Sequence, residues 1–168
     1  MEKMADMRKI ALTGLFAAMA VLLSGIHFPI GPTKVFPFQH TVNALAGVLI
    51  GPWYAALAAV IAGIIRNAIG TGTIFAFPGG IPGAIIVGLM YRWLHKDWVT
   101  LTEPIGTGVI GVALIVLLLG PFMGKSFAFV LFFTAFMASS VPGSIIGYFL
   151  LKTLRRAKII ELRQIPEP

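Results

Sequence analysis

The run Val109-Ile110-Gly111-Val112-Ala113-Leu114-Ile115-Val116-Leu117-Leu118-Leu119 contains no polar side chain. A strand of a membrane β-barrel alternates apolar and polar residues, so a continuously apolar run of this length favours a helix. The rest of the chain is similar: of its 168 residues, 58% are hydrophobic and only 11% are charged. An average soluble domain has about 25% charged residues. The sequence therefore predicts an integral membrane protein and excludes a water-soluble enzyme or a disordered chain.

A helix needs about 20 mostly apolar residues to cross a bilayer. Six segments of the chain are candidates for such helices, and five spans are the alternative because the second and fourth segments are short. We predict an all-α, single-domain, compact bundle of six transmembrane helices. The predicted spans are residues 8–24, 38–51, 53–69, 81–94, 104–121 and 127–151.

The basic residues predict the orientation of these spans. With both termini in the cytoplasm, only Lys34, Arg66 and Lys125 of the 13 Lys and Arg residues lie outside, which is a strong positive-inside bias. Cleavage of the first segment as a signal peptide would spoil this bias, so we keep it as a helix. The sequence has no basic stripe with interleaved aromatic residues, so it does not predict nucleic-acid binding.

Polar residues of the spans gather in two stretches on the predicted outer side. The first runs from Phe28 to Asn43, and its three prolines predict a long, ordered loop before the second span. Gln39 and Asn43 stand four residues apart and share a helical face, with His40 beside them.

The second stretch runs from Arg66 to Gly80, where glycines and prolines predict a break in the helix near membrane depth. Arg66 either helps to form a pocket or extends to the outer headgroups. The amide, imidazole, guanidinium and hydroxyl groups of the two stretches lie among aromatic rings. This mixture suits a small, flat, mostly uncharged ligand.

The six acidic residues are all assigned to the cytoplasmic side or its edge, which leaves the outer site without a carboxylate. They are Glu2, Asp6, Asp97, Glu103, Glu161 and Glu167. This placement argues against a cation-coupled carrier, a metal site and carboxylate acid–base chemistry. The chain also has no cysteine. We predict binding and passage of a ligand without catalysis; an intramembrane enzyme using His40 is an alternative that lacks a nucleophile–base pair.

Glycines occur at four-residue spacing in several spans, as in Gly143 and Gly147, and predict close helix packing. The segment Gly120–Ser126 resembles a phosphate-binding loop, but Leu119 stands where the first glycine belongs. Any use of ATP is therefore expected from a partner protein. The first helix carries small residues that either dock a partner helix or pack within the bundle: Ala11, Thr13, Gly14, Ala17 and Ala18.

The runs Gly31–His40 and Gly70–Gly79, with Arg66-Asn67 between them, resemble the ThiW branch of the S components of energy-coupling factor (ECF) transporters. The resemblance covers essentially the whole chain. It implies a substrate-binding subunit in the plasma membrane of a prokaryote, which joins a transmembrane coupling protein and two ATPases. The implied ligand is hydroxyethylthiazole, the thiazole precursor of thiamine, which is captured outside and released inside. In place of the family's Ala-x-x-x-Ala docking motif, the first helix has Gly14-x-x-x-Ala18.

The resemblance and the polar stretches together give the candidate ligand-binding residues. Four aromatic residues are expected to stack on the ring, polar residues to bind its nitrogen and hydroxyl, and Lys34 to lie in a gate loop. The candidates are Lys34, Phe36, Phe38, Gln39, His40, Asn43, Arg66, Asn67, Thr73, Phe75, Phe77, Ser139 and Ser140. Thiamine, another precursor or the phosphorylated thiazole are alternative ligands, and an interaction subunit without a ligand is the alternative function.

Overall fold

The computed structural model describes residues 2–30 and 33–158. These residues form six long helices and one short hairpin, which confirms the predicted helical fold class. The elements are α1 (Glu2–Leu23), β1 (Phe28–Ile30), β2 (Thr33–Val35), α2 (Pro37–Ile50), α3 (Pro52–Ala68), α4 (Ala76–Leu94), α5 (Asp97–Phe122) and α6 (Phe129–Arg156).

Two of these helices, α5 and α6, are long and apolar enough to cross a membrane by length and composition. α5 is irregular: it starts as a 3₁₀ helix over Asp97–Thr102 and contains π-helical turns over Ile105–Gly111 and Ile115–Leu119. π-Helical turns are rare and often occur at functional sites. The number of membrane crossings and the position of the termini remain predictions.

α4 and α5 begin before the predicted spans do. α4 starts at Ala76, so Pro78 lies in its first turn, where the missing amide hydrogen costs nothing. The predicted irregular segment is therefore confined to the residues between α3 and α4. α5 starts at Asp97, whereas the sequence suggests a start at Pro104.

α2 is the central helix of the bundle and packs against α1, α3, α4 and α6. Twelve of its 14 residues are buried, including Gln39, His40, Thr41 and Asn43. Because α2 is surrounded on all sides, its polar side chains must find partners inside the protein.

Glycines allow the helices to approach at backbone distance, and for Gly143 this agrees with the packing predicted from the four-residue spacing. A Cβ atom on Gly88 would lie 2.5 Å from Pro52 Cα, and one on Gly106 would lie 2.5 Å from the carbonyl oxygen of Pro82. A Cβ atom on Gly143 of α6 would lie 2.2 Å from the carbonyl oxygen of Pro37. Backbone atoms therefore form much of the contact between the helices around the polar residues of α2.

The loop predicted before the second span is a β-hairpin. β1 and β2 pair antiparallel, with Phe28 opposite Val35 and Pro29 opposite Lys34. Val35 is buried, and the next residue, Phe36, donates its backbone N–H to Ser139 Oγ of α6 at 2.8 Å. The hairpin is thus attached to the helical bundle at its second strand.

The small residues of α1 divide between two faces. Thr13 and Ala17 are buried within the bundle, where α1 packs against α2 and α3. Ala11, Gly14 and Ala18 are exposed, and no atom of the described residues lies within 4 Å of a Cβ placed on Gly14. Packing within the bundle is therefore confirmed for Thr13 and Ala17, and docking of a partner helix by the exposed residues stays a prediction.

Candidate functional site

Arg66, in the last turn of α3, is the best-buried charged side chain near the hairpin, with 1% of its surface exposed. Its guanidinium donates Nη1–H to Gln39 Oε1 and Nη2–H to the carbonyl oxygen of Thr71 at 3.4 Å. The guanidinium also lies 4.5 Å from the ring centroid of Phe36. Arg66 thus joins α3, α2 and the end of the hairpin, and the alternative that it extends to the headgroups is wrong.

Gln39 and Asn43 point toward α4, as their spacing on one face of α2 predicts. Asn43 Nδ2–H donates to the carbonyl oxygen of Gly80 at 3.2 Å. A Cβ atom on Gly80 would lie 3.3 Å from Gln39 Nε2 and 3.4 Å from Asn43 Nδ2. A larger residue at position 80 would crowd both amides.

His40, the residue after Gln39 on α2, forms a buried pair with Glu103 of α5. The His40 Nδ1 to Glu103 Oε1 distance is 2.8 Å, and the Thr107 hydroxyl lies 2.7 Å from the same oxygen. Thr107 also donates to the carbonyl oxygen of Gly79 at 2.7 Å. Glu103 and Thr107 have no exposed surface. The expectation that the site contains no carboxylate is therefore wrong.

Two groups of polar residues meet at adjacent turns of α4. One is Arg66 with Gln39 and Asn43, and the other is Glu103 with His40 and Thr107. Gln39 and Asn43 surround Gly80, and Glu103 Oε1 lies 2.4 Å from a Cβ placed on Gly83. Three residues of helix correspond to a rise of about 4.5 Å. We call Gln39, His40, Asn43, Arg66, Glu103 and Thr107 the polar cluster.

Three buried polar atoms around this cluster have no hydrogen-bond partner among the described residues. They are Arg66 Nε, Glu103 Oε2 and Ser140 Oγ. Ser140 lies on α6 three residues before Gly143, which packs against His40 Cβ. A buried polar atom without a partner costs about 1–3 kcal/mol, so these atoms are suited to a ligand that supplies the missing bonds.

The gaps next to the cluster are narrow in this conformation. They lie between α1, α2 and α3, leave no room for a water molecule, and have Gln39 and Asn43 at their polar end. A larger, open groove of about 580 Å³ lies between α4 and α5 and is lined by apolar residues and prolines only. The open groove lacks the donors and acceptors that orient a polar ligand, so the polar cluster is the candidate site.

The structure brings only some of the predicted residues to this cluster. Ser139 and Ser140 are buried, Phe36 contacts Arg66, Phe38 is half-buried, and Lys34 is exposed.

Asn67 and Thr73 are exposed on the turn after α3. Asn67 Nδ2–H donates to the carbonyl oxygens of Gly63 and Thr73 and so holds this turn.

The four predicted stacking rings do not converge. Phe75 packs against Phe127 and Phe132, with ring centroids 5.2 and 4.8 Å apart. Phe77 packs against Gly63 and lines the open groove. Phe36 is the predicted aromatic residue that touches the polar cluster through Arg66.

Sequence reasoning missed Glu103 and Thr107. Their signal is a polar pair at four-residue spacing next to the apolar run of α5, which places both side chains on one helix face. In the described residues, no group of three or more His, Cys, Asp or Glu side chains is arranged to hold a metal ion.

A family model described as "Thiamine-precursor transporter protein (ThiW)" matches residues 10–157. No curated protein and no solved structure matches the chain. The family match includes every helix that carries the polar cluster, and it agrees with the resemblance noted in the two polar stretches. The chain therefore belongs to the ThiW family of thiamine-precursor transporter proteins.

Proposed function

We propose that this protein is the substrate-binding membrane subunit of an ATP-driven importer of the ECF type, and that its substrate is hydroxyethylthiazole. The observation that carries the proposal is the polar cluster, a dry group of amide, imidazole, guanidinium and carboxylate side chains within a helical bundle. Two atoms of the cluster and the neighbouring Ser140 Oγ have no hydrogen-bond partner among the residues that the structure describes. Membership of the ThiW family supports transport of a thiamine precursor as the purpose of this cluster.

Hydroxyethylthiazole matches the chemistry of these unpartnered groups. Its ring nitrogen accepts one hydrogen bond, and its hydroxyl both donates and accepts. The Nε–H of Arg66 is a donor, Glu103 Oε2 is an acceptor, and the Ser140 hydroxyl is either. The flat ring would lie near Phe36, which already faces the Arg66 guanidinium.

The hairpin would act as the cover of this site. Ser139 fixes the backbone N–H of Phe36, and the ring of Phe36 packs on Arg66. Because the gaps beside the cluster are narrow, a ligand enters only if this cover moves. Lys34 lies exposed on the second strand, in the segment that would move.

The partners of the proposed importer are a transmembrane coupling protein and two ATPases. The chain would use no cofactor itself, since its phosphate-loop-like segment departs from the motif. The exposed residues Ala11, Gly14 and Ala18 of α1 form a smooth face for the coupling protein. The proposed location is the plasma membrane of a prokaryote, with both termini in the cytoplasm.

Calorimetry on the purified, detergent-solubilised protein tests the proposal. Hydroxyethylthiazole, its phosphate, thiamine and the pyrimidine precursor of thiamine are compared. We expect tight binding of hydroxyethylthiazole. Tight binding of thiamine or the pyrimidine alone would change the substrate. No binding of any of the four would favour an interaction subunit that acts through the exposed face of α1.

Replacing Asn43 or His40 with alanine is expected to weaken ligand binding about tenfold, the value of one hydrogen bond to a polar or charged group. Both variants should still unfold cooperatively, because the backbone contacts of α2 with α4 and α6 remain. Calorimetry and thermal unfolding measure the two effects. His95→Ala, which alters an exposed histidine, is the control. Unchanged affinity in both variants would contradict this position of the site.

Replacing Ser139 with alanine is expected to speed up ligand release three- to tenfold, because the Phe36 N–H loses its acceptor and the cover opens more often. Stopped-flow tryptophan fluorescence measures the release rate. Thr134→Ala removes an exposed hydroxyl from the same helix and should leave the rate unchanged. Equal release rates for Ser139→Ala and the unmodified protein would separate the hairpin from ligand exchange.

A further inference from the structure

Glu103 holds a carboxylate in the least accessible part of the bundle. Its side chain has no exposed surface, and its Oε1 atom is already bound by His40 and adjoins Thr107. Its Oε2 atom is buried and has no partner among the described residues. A carboxylate oxygen only accepts hydrogen bonds, so the group that completes this site must be a donor.

We infer that Glu103 is a ligand-binding residue that accepts a hydrogen bond from the hydroxyl of the substrate, and that it selects an uncharged alcohol over its phosphate ester. The inference rests on the proposed function and deepens it, because it assigns the hydroxyl end of the ligand to one atom, Glu103 Oε2. Of the hydroxyl and the ring nitrogen of hydroxyethylthiazole, only the hydroxyl donates a hydrogen bond.

The charges of the polar cluster support this selectivity. Arg66 and Glu103 are of opposite charge and both side chains are buried, and the His40 imidazole also binds the Glu103 carboxylate. Lys34 is exposed on the hairpin and does not belong to the cluster. A neutral ligand keeps this balance, whereas a phosphate group adds negative charge beside a carboxylate. A buried charge without a counter-charge is strongly unfavourable, so Arg66 alone does not make this a phosphate site.

The geometry of α4 and α5 leaves Glu103 little freedom to turn away from an anion. Gly83 of α4 leaves room for the carboxylate but none for a side chain of its own, since a Cβ atom there would lie 2.4 Å from Oε1. His40 binds the same oxygen from α2. The carboxylate is thus held from two helices, with Oε2 as its free atom.

Calorimetry with three ligands tests the inference: hydroxyethylthiazole, its phosphate, and its methyl ether, which keeps the oxygen but has no proton to donate. The proteins are the unmodified chain, Glu103→Gln and Asp97→Asn. Asp97 is a matched control, because it also pairs with a basic residue, Arg155 at 2.8 Å, but lies outside the polar cluster.

In the unmodified protein we expect the methyl ether and the phosphate each to bind at least tenfold more weakly than the alcohol, since a hydrogen bond to a charged group is worth about ten- to a hundredfold in affinity. Glu103→Gln should weaken alcohol binding at least tenfold and reduce both differences at least threefold. Asp97→Asn should change none of these ratios.

Two results would overturn the inference alone: the unmodified protein binds the ether or the phosphate as tightly as the alcohol, or Glu103→Gln leaves all ratios unchanged. The first result is measured on the unmodified protein. The inference can therefore be refuted even if Glu103→Gln does not fold. If the unmodified protein binds no thiazole at all, the proposed function fails, and the inference fails with it.

Discussion

Replacing Arg66 with alanine is expected to reduce ligand affinity by more than a hundredfold and to lower the unfolding temperature. The guanidinium contacts three separate parts of the chain: Gln39 on α2, the carbonyl oxygen of Thr71 after α3, and the ring of Phe36 directly after the hairpin. Its loss leaves the buried Gln39 Oε1 without its donor, at about 1–3 kcal/mol, and removes the bond to the Thr71 carbonyl. It also leaves Glu103 as the remaining charge of the polar cluster, which is costly in a dry interior.

Calorimetry and thermal unfolding of Arg66→Ala, Arg66→Lys and Arg92→Ala check this expectation. Lysine keeps the charge but lacks the planar, forked donor set, so Arg66→Lys should bind more weakly than the unmodified protein and more tightly than Arg66→Ala. Arg92 is exposed at the end of α4, and its removal should have no effect on binding. Full binding by Arg66→Ala would show that the guanidinium only stabilises the hairpin.

Replacing Gly143 with alanine is expected to destabilise the bundle by about 1–3 kcal/mol, the usual cost of overpacking. The new Cβ atom would lie 2.2 Å from the carbonyl oxygen of Pro37 and 2.8 Å from His40 Cβ. A backbone oxygen does not rotate away, so α2 must move from α6. Because α2 carries Gln39, His40 and Asn43, ligand binding should fall as well.

The control is Gly14→Ala, the same substitution at an exposed position of α1. In the part of the chain that the structure describes, no atom lies within 4 Å of a Cβ at this position, and alanine favours a helix over glycine by up to about 1 kcal/mol. Gly14→Ala should therefore unfold at or above the temperature of the unmodified protein. If Gly143→Ala unfolded at the same temperature as the unmodified protein, this result would contradict the close contact between α2 and α6.

The helical fold could be predicted because uninterrupted apolar runs such as Val109–Leu119 have no other stable form in lipid. The helix starts were less predictable. Proline and glycine at 78–80 indicated a break, yet a proline in the first turn of α4 costs no hydrogen bond. The hairpin was missed because three-residue strands with prolines carry no alternating pattern, and their pairing depends on anchoring to α6 through Ser139.

The site could be predicted in part, because amides and a guanidinium are costly in lipid and so must meet inside the protein. Gln39, Asn43 and Arg66 follow this rule. Glu103 was missed because it was counted with the loop charges before Pro104. The 3₁₀ start of α5 brings Glu103 into the bundle, and no pattern in the sequence predicts that start. Phe75 was misleading, since its aromatic partners Phe127 and Phe132 are distant in sequence.

The position of Arg66 has a consequence for how the chain is made. Helices enter a bilayer in the order of their synthesis, and an arginine at mid-membrane depth costs about 2.5–3.5 kcal/mol. Arg66 stands in the last turn of α3, so in the predicted topology its long side chain can reach the lipid headgroups while the helix inserts. Its partner Gln39 is synthesised before it, but the carboxylate of Glu103 arrives only after α4. The polar cluster is therefore complete only after α5 has docked, late in the synthesis of the chain.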